Sequence, residues 1–367
     1  MKVLFVASVY RHLVSFHLPY MQYFQNKGYT VYAVGNGDED KQILSAMGIK
    51  CIDIPFSRNP FSSNNLHAYK QLKTLFKQHH FNLVHVHTPV AAFLTRFAFR
   101  KFKTGPIVYT AHGFHFYNGA PAINWVIYYP LEKIAARWTD HLITINDEDY
   151  NNARKFLSNE RVSLVHGVGV EFSQQSNEIS DLRKSLNIAE NAVVISIIAE
   201  LNKNKNQQYL LENWLAIKEQ CPEVVLLIIG TGDLEFHLKN YVKDNHLQDV
   251  QFLGYCKDID ELLHISDISS LLSYREGLPK STMESMYMGV PCIVTNTRGL
   301  RDLIIQGENG FIIPFEDDLE LVNTFVRLIS SKSLRIQMGA KSKQLVEPYI
   351  LKNVLPEYIT IYEKLLE

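Results

Sequence analysis

Two carboxylates lie eight positions apart in the segment from Arg275 to Glu284, which reads Arg-Glu-Gly-Leu-Pro-Lys-Ser-Thr-Met-Glu. Pro279 disfavours helical geometry at the residue before it, so Glu276 is predicted to lie in a loop. Ser281, followed three residues later by Glu284, has the form of a capping box at a helix start. An ordinary cap explains that pair equally well. A loop acid beside helix amides that favour an anion nevertheless indicates a site for a nucleotide sugar.

The sequence around this segment has the order of a βαβ unit. An apolar strand at 267–273 precedes it, and a Gly-Val-Pro turn at 289–291 leads into a second strand. This order resembles the nucleotide-sugar half of the retaining glycosyltransferases of family 4, which carry E-x7-E, a G-x-P turn and a G-x-x-G-x-L/I-V/I segment in succession. The last segment corresponds to 307–313. The resemblance spans most of the chain and implies the GT-B fold, an α/β architecture of two Rossmann-like domains with parallel sheets facing across a cleft.

Short apolar strands alternate with helical segments along both halves of the chain, which predicts parallel sheets covered on both faces. The predicted strands are 3–7, 30–34, 51–54, 83–87, 107–110, 142–145 and 163–165, then 193–199, 224–230, 250–253, 268–272 and 291–295; the helices of the first half are 19–27, 41–47, 66–78, 91–101 and 123–138. By resemblance, residues 1–168 form the acceptor-binding domain, 169–349 the nucleotide-sugar domain, and the final helix within 350–367 returns to the first domain.

Composition favours a globular enzyme, with 46% hydrophobic and 20% charged residues in 367. The apolar start Met1–Ala7 becomes polar too soon for a signal peptide and is predicted to be a strand. The four cysteines lack C-x-x-C spacing, so free thiols are expected in a reducing compartment. The first strand is not followed by G-x-G-x-x-G, which argues against dinucleotide binding.

The net charge of −1 conceals a division between the two halves. Residues 1–170 hold 18 Lys/Arg against 10 Asp/Glu, or +8, whereas 171–367 hold 19 against 28, or −9. Much of the excess lies in Lys70, Lys73 and Lys77 and in Arg96, Arg100, Lys101 and Lys103, which are interleaved with phenylalanines. This pattern suits an anionic membrane surface or an acidic lipid-linked substrate, although a basic face over a buried aromatic stripe is an alternative. Nucleic acid is not expected.

The residues after the second domain's first strand match the family's G-R-L-x-x-x-K-G/N segment only in part. Lys205 stands at the family's lysine, which implies a contact to the donor diphosphate, whereas Glu200 replaces the arginine. A carboxylate repels the phosphates that an arginine would hold. Lys203 or Lys280 is the candidate for the missing positive charge.

The remaining donor contacts are expected at strand ends and at the helix start. Gly232 follows a strong strand, where a glycine allows close approach of a base or ribose. By resemblance, backbone near Tyr255 and Cys256 reads the base and Glu284 accepts hydrogen bonds from the ribose. The predicted donor-binding set is completed by Gly277, Leu278, Pro279, Lys280 and Ser281.

The first domain contributes a T-x-H-G segment in which His112 follows a strand, and the resemblance implies that this histidine contacts the donor sugar near the reacting carbon. Ser15 and His17 are candidate acceptor contacts, in a stretch that replaces the glycine-rich loop of many relatives. His85 and His87 point to one side of a strand, which permits metal binding. Three D-x-D triplets are explained by solvated loops and a helix start, so neither a metal nor a cofactor is expected.

The predicted reaction transfers a sugar from a nucleotide diphosphate, by family habit UDP, to an acceptor hydroxyl with retention of anomeric configuration. Glu276 orients the sugar and favours a developing oxocarbenium ion, and the resemblance implies same-face attack. The run Tyr109–Tyr117 and residues 124–133 resemble bacterial capsule and exopolysaccharide enzymes, which implies a polyprenyl-diphosphate-linked acceptor at the inner membrane surface and a cytoplasmic, peripheral location. The alternatives are a nucleotide-sugar 2-epimerase of the same architecture and a non-catalytic sugar-nucleotide-binding regulator.

Overall fold

The computed structural model describes residues 1–57, 59–171 and 179–367. The chain divides into two compact units. The first comprises Met1–Gly169 together with Leu351–Glu367, and the second comprises Val170–Ile350.

The first unit is built on a sheet that contains seven parallel strands among the described residues. They are β1 (Lys2–Val6), β2 (Thr30–Gly35), β3 (Lys50–Asp53), β4 (Leu83–Val86), β5 (Ile107–Ala111), β6 (His141–Thr144) and β7 (Val162–Leu164), in the order β3-β2-β1-β4-β5-β6-β7. Its helices are α1 (Tyr10–Asn26), α2 (Asp38–Ala46), α3 (Asn64–Gln78), α4 (Pro89–Phe99), α5 (Ala122–Ala135) and α6 (Asp147–Ala153), with short 3-10 turns at Ala136–Trp138 and Asn159–Arg161.

The second unit repeats this architecture with six parallel strands among its described residues. They are β8 (Val193–Ile198), β9 (Val224–Ile229), β10 (Val250–Gly254), β11 (Ile268–Leu271), β12 (Cys292–Thr295) and β13 (Gly310–Ile313), in the order β10-β9-β8-β11-β12-β13. The helices are α7 (Ile179–Ser185), α8 (Gln207–Glu212), α9 (Trp214–Gln220), α10 (Glu235–Asp244), α11 (Ile259–His264), α12 (Lys280–Met288), α13 (Leu300–Leu303), α14 (Asp318–Ile329) and α15 (Lys332–Leu345), followed by a 3-10 turn at Glu347–Tyr349.

Both sheets are buried on two faces, as the unalternating apolar strands predict. In β1, Leu4 and Val6 join one hydrophobic cluster while Val3 and Phe5 join another, because successive side chains of a strand point to opposite faces. In β8, Val194 and Ile195 divide in the same way. The predicted α/β fold of two parallel sheets is therefore confirmed.

The last helix, α16 (Leu351–Leu366), packs on the first unit. Val354, Tyr358 and Tyr362 are buried in the cluster that contains β1 and α1. The Tyr362 hydroxyl lies 2.8 Å from Nδ1 of His85, and the Tyr358 hydroxyl donates to the Gly167 carbonyl at 3.2 Å. Both tyrosine hydroxyls thus have hydrogen-bond partners although their rings are buried, and these bonds fix the position of α16 on the sheet.

Helix α1 begins at Tyr10, nine residues before the predicted start at Pro19. Its buried side chains recur at helical spacing: Tyr10, Leu13, His17, Tyr20, Met21 and Phe24. This apolar stripe outweighs the cost of Pro19, which lacks the amide that would bond four residues back. The stretch from Arg11 to His17, which the prediction left outside the helix at 19–27, is therefore helical. Strand β13 was likewise not predicted.

Arg96 corrects the prediction of a uniformly surface-directed basic cluster. Its side chain is only 1% exposed, pairs with Glu132 at 2.9 Å and lies over the Tyr109 ring at 4.1 Å. Arg100 stacks on Phe97, 4.0 Å from the ring centroid, while Lys101 and Lys103 are exposed. Arg96 thus holds α4 to α5 and the sheet. Within the described ranges, no helix combines the length and apolarity needed to cross a bilayer.

Replacing Glu132 by glutamine should destabilise the first unit by about 3–5 kcal/mol, because it leaves the buried Arg96 guanidinium without a counter-charge. Urea unfolding followed by circular dichroism measures the change. Lys27→Gln is the matched control, since it breaks the exposed pair with Glu363 and should cost at most about 1 kcal/mol. Equal unfolding midpoints for the two variants would contradict a structural role for the buried pair.

Candidate functional site

The parallel order of the second sheet brings together the loops that follow β8, β9, β10 and β11, because these strands are neighbours and their carboxyl ends share one edge. Backbone hydrogen bonds connect the loops. The Leu201 amide donates to the Thr231 carbonyl at 3.0 Å, and the Gly230 amide donates to the Gly254 carbonyl at 2.7 Å. Residues predicted from separate motifs therefore lie on adjoining loops.

Glu276 and Lys205 form the charged centre of this edge. The Lys205 ammonium is 2.6 Å from Oε1 of Glu276, although 71 residues separate them in the chain. Glu276 is 8% exposed, and its backbone carbonyl accepts a hydrogen bond from Nε of the buried Arg298 at 2.9 Å. Asn204 donates to the Arg275 carbonyl at 2.9 Å, which ties the two loops next to the ion pair. Both ends of the pair are thus held in place by their neighbours.

Arg298 was not predicted as part of the site. The local sequence shows only a basic residue beside a glycine. Arg298 can reach the Glu276 loop because residue 299 is a glycine. That glycine has φ +73, and a Cβ there would lie 2.0 Å from the Gly277 carbonyl oxygen. Gly299 therefore allows the segment before α13 to lie directly against the Glu276 loop.

The predicted capping box at the start of α12 is wrong. The helix begins at Lys280, with Pro279 as its N-cap residue, and Ser281 already lies in the first turn. Glu284 pairs instead with Lys280 at 3.3 Å. Because proline has no side-chain hydrogen-bond acceptor, the N-cap does not satisfy the first-turn amides, and the helix end keeps the anion preference that the sequence indicates.

The other predicted donor contacts differ in exposure. Leu278 is 8% exposed, Tyr255 is 56% exposed, and Cys256 is half-buried with its thiol directed at the Leu253 carbonyl, 3.6 Å away. Burial raises the pKa of the Cys256 thiol, and the negative charge of Asp258 raises this pKa further. A Cβ on Gly232 would lie 2.4 Å from the Leu201 carbonyl oxygen. A glycine is therefore required here so that the loops after β8 and β9 can pack against each other.

Glu200, which replaces the family's arginine, and Lys203, a candidate for the missing positive charge, are both exposed. The Glu200 carbonyl accepts from Gln207 at 3.0 Å, and this bond orders the loop through its backbone. Neither side chain has the paired N–H donors with which an arginine would hold a phosphate through two parallel hydrogen bonds. Lys205 is the half-buried cation of the segment, with 21% of its side chain exposed.

In the first unit, histidines collect at the carboxyl edge of three adjacent strands. His112 follows β5, His87 follows β4, and His12 and His17 lie on α1, which follows β1. Nε2 of His112 is 3.2 Å from Nε2 of His12 and 3.2 Å from Nε2 of His17. The His17 and His87 rings stack with centroids 3.6 Å apart. We call these four residues the histidine cluster.

Burial keeps the histidine cluster neutral. It lowers the pKa of His12 to about 4, and it holds the pKa values of His17, His87 and His112 well below that of an ordinary histidine. For the last three, neighbouring imidazoles lower the pKa further. His17 was predicted as an acceptor contact, but it is fully buried within the cluster, whereas Ser15 is exposed on α1.

Side-chain hydrogen bonds hold the segment that follows His112. The Asp149 carboxylate accepts from the Phe114 amide at 3.0 Å and from the Asn146 side chain at 2.9 Å. Asn124 donates to the His115 carbonyl at 2.9 Å. Asp149 belongs to one of the D-x-D triplets and lies fully buried in the first turn of α6, so this triplet is the one at a helix start.

An apolar cavity of about 580 Å³ lies beside the cluster in the first unit. Val90, Phe93 and Leu94 of α4 contribute to one wall, and Tyr128 and Leu131 of α5 contribute to another. His12 is shared between this cavity and the histidine cluster. The cavity was not predicted, because its lining comes from elements far apart in the chain.

Comparison with known proteins places the whole chain in one family. The family model described as "Glycosyl transferases group 1" matches residues 178–345, and the model described as "Glycosyl transferase 4-like" matches residues 2–146. The chain is 35% identical to EpsD of Bacillus subtilis (strain 168) over 369 residues, which cover 98% of this chain and 96% of the relative.

Two further proteins agree. The chain is 30% identical to the UDP-Gal:alpha-D-GlcNAc-diphosphoundecaprenol alpha-1,3-galactosyltransferase of Escherichia coli, with 80% of each protein covered. Anabaena Alr3699/HepE, solved in complex with UDP and glucose, matches with a TM-score of 0.80 at 20% identity and full coverage of both chains. The chain therefore belongs to the family 4 glycosyltransferases of the GT-B fold.

Proposed function

We propose that the protein transfers a sugar from a UDP-sugar to a hydroxyl of a polyprenyl-diphosphate-linked saccharide, with retention of anomeric configuration, in the synthesis of a bacterial surface polysaccharide. The observation that carries the proposal is the Lys205–Glu276 pair at the carboxyl edge of the second sheet, next to the start of α12. This arrangement offers a cation and backbone amides to a diphosphate, together with a carboxylate for the sugar.

In this proposal the donor diphosphate is held by Lys205 and by the first-turn amides of α12. Lys280 and Ser281 supply amides of that turn, and Glu284 accepts hydrogen bonds from the ribose. The loops that contain Gly232, Tyr255 and Cys256 surround the nucleoside, and Gly277, Leu278 and Pro279 form the backbone against the phosphates. As negative charge grows on the departing diphosphate, the ammonium and amides stabilise it without a metal ion.

Glu276 is proposed to orient the sugar and to stabilise positive charge at the reacting carbon. The glycosidic carbon–oxygen bond to the diphosphate breaks as the acceptor hydroxyl attacks from the same face, and a phosphate oxygen takes the hydroxyl proton. His112 is the proposed contact to the donor sugar in the first unit. The UDP bound in the HepE structure and the UDP-Gal in the name of the E. coli relative support a UDP-sugar.

The apolar cavity supports a lipid-linked acceptor. Its aliphatic and aromatic lining suits part of a polyprenyl chain, because contact there removes apolar surface from water. Exposed Ser15 is the proposed polar contact to the saccharide, while buried His17 acts only through its neighbours. The undecaprenol-linked substrates named for relatives from E. coli and Campylobacter jejuni support the same acceptor class.

Exposed lysines of the first unit support binding at an anionic membrane surface, where such an acceptor would reside. Lys70 and Lys77 are exposed on α3, and Lys101 and Lys103 are exposed after α4. We therefore propose that the protein acts at the inner face of the cell membrane. The transferase names of the relatives favour transfer over the epimerase alternative.

Incubation of the protein with UDP-sugars, with and without undecaprenyl-diphosphate saccharide, tests the function. We expect UDP release that depends on the acceptor, together with a lipid product one sugar longer. Conversion of the UDP-sugar to an isomer without acceptor would instead establish an epimerase.

Glu276→Gln should reduce kcat/KM for transfer by about 100-fold or more, because the neutral amide cannot stabilise positive charge at the reacting carbon. UDP affinity should change little, since the amide leaves Lys205 in place. Glu308→Gln, which alters the exposed pair with Lys341 in the same unit, is the control and should leave transfer unchanged. Wild-type turnover by Glu276→Gln would remove Glu276 from its proposed role.

Lys205→Met should weaken UDP binding by about 10-fold or more in calorimetry, through loss of the charge-assisted phosphate contact. Uridine, which carries no phosphate, should bind both proteins equally. Lys239→Met, at an exposed helical pair with Glu235, serves as the control. An equal loss for UDP and uridine would show that Lys205 only supports the Glu276 loop.

Val90→Asp should raise KM for the lipid-linked acceptor by about 10-fold, because a carboxylate in an apolar cavity must be desolvated when the chain binds. Val126→Asp provides a matched control on α5, where the native side chain is 70% exposed. The affinity of both variants for UDP should be that of the wild type. Identical acceptor KM values for the two variants would place the lipid elsewhere.

A further inference from the structure

The contacts within the histidine cluster cannot all be hydrogen bonds. An imidazole nitrogen has one in-plane site, which is either a lone pair or an N–H group. Nε2 of His112 nevertheless has two neighbours at 3.2 Å, Nε2 of His12 and Nε2 of His17, and can serve only one of them. At least one of the two contacts is therefore not a full hydrogen bond, and a cation placed between the rings would accept the lone pairs of all three nitrogens.

The same cluster contains ring nitrogens without hydrogen-bond partners. Among the described residues, neither ring nitrogen of His87 has a hydrogen-bond partner, and Nδ1 of His17 has none. Both side chains are fully buried. A buried polar atom without a partner costs about 1–3 kcal/mol, so this arrangement is unfavourable as an empty network of neutral rings.

Two nitrogen–nitrogen distances in the cluster, both 3.2 Å and both to His112, match the geometry of a bound metal ion. In a tetrahedral zinc site with Zn–N bonds of about 2.0–2.1 Å, two ligand nitrogens lie about 3.3 Å apart. One nitrogen from each of His12, His17, His87 and His112 falls within 4.8 Å of the others.

The walls of the cluster are fixed by residues that do not belong to it. His85 lies against His87 with ring centroids 4.1 Å apart, and both of its nitrogens are occupied, by Thr110 at 2.8 Å and by Tyr362 at 2.8 Å. The Ser8 amide donates to Thr88 at 3.0 Å and connects the loop before α1 to the loop that contains His87. The four rings are therefore presented by a rigid frame.

We propose that His12, His17, His87 and His112 form a binding site for a divalent transition metal ion, with Zn²⁺ as the expected occupant. Imidazole ligands suit Zn²⁺, and no acidic or thiolate side chain belongs to the cluster identified among the described residues. The ion accepts the lone pairs of the three converging Nε2 atoms and of one His87 nitrogen. Any contact of His112 to a sugar then has to use the other parts of its ring.

This site is independent of the proposed role of Lys205 and the α12 amides in holding the donor diphosphate. It also revises the sequence expectation that no metal binds. His85 and His87 drew attention as a possible metal pair, yet only His87 joins the cluster, because Thr110 and Tyr362 occupy His85.

Co²⁺ titration of the full-length, tag-free, chelator-treated protein tests the proposal. Four-coordinate Co²⁺ has intense visible d–d bands that hexa-aqua Co²⁺ lacks. We expect these bands to saturate at one ion per chain and to disappear when Zn²⁺ is added. Failure of the wild-type protein to develop them would overturn the proposal, whatever the behaviour of any variant.

His12→Gln should weaken Co²⁺ binding at least 10-fold. Mutation of a residue that only supports a metal ligand already lowers metal affinity by about 10-fold or more, and loss of a ligand should cost no less. His141→Gln is the matched control, because His141 is another buried histidine of the first unit, is bonded to Ser163 at 2.9 Å and lies outside the cluster. Circular dichroism checks that both variants fold. Equal Co²⁺ affinities for the two variants would overturn the assignment, whereas loss in His12→Gln alone supports it.

Discussion

The parallel direction of every strand in the two sheets is the constraint on which the rest of the structure depends. Parallel strands must be joined by crossovers, so in each unit the loops that follow the strands share the carboxyl edge of the sheet, and the helices cover both faces. Lys205 and Glu276, 71 residues apart, meet on adjoining loops for this reason. In the first unit, β1, β4 and β5 are neighbours in the sheet, which brings together histidines from three separate crossovers.

The same edge carries different chemistry in the two units. In the second unit, opposite charges pair at low exposure, and backbone hydrogen bonds hold the surrounding loops. In the first unit, the polar groups are neutral rings that lack enough hydrogen-bond partners. Opposite charges satisfy one another when no ligand is bound, whereas converging lone pairs repel. The Lys205–Glu276 pair is therefore satisfied without a ligand, whereas the histidine cluster would be satisfied by the proposed metal ion.

The sequence predicted most strands within one or two residues, because buried parallel strands read as short apolar runs between turns. It failed where two local signals competed. Pro19 indicated a helix start, yet the buried stripe from Tyr10 to Phe24 extends α1 through it. Ser281 and Glu284 matched a capping box, yet the N-cap of α12 is Pro279, two residues before Ser281, and Glu284 pairs with Lys280.

Motif order by itself determined the family, the α/β class and the candidates Glu276, Lys205 and His112, because each follows a strand and so has to lie at the carboxyl edge of its sheet. Only the tertiary structure decided which of these residues touch. Residues far apart in the chain meet in four places. Lys205 pairs with Glu276, and Arg298 bonds to the backbone of the Glu276 loop. Arg96 is buried against Glu132, and the four residues of the histidine cluster converge. Local sequence patterns cannot encode such distances, since these depend on strand order and on the packing of helices across the sheet.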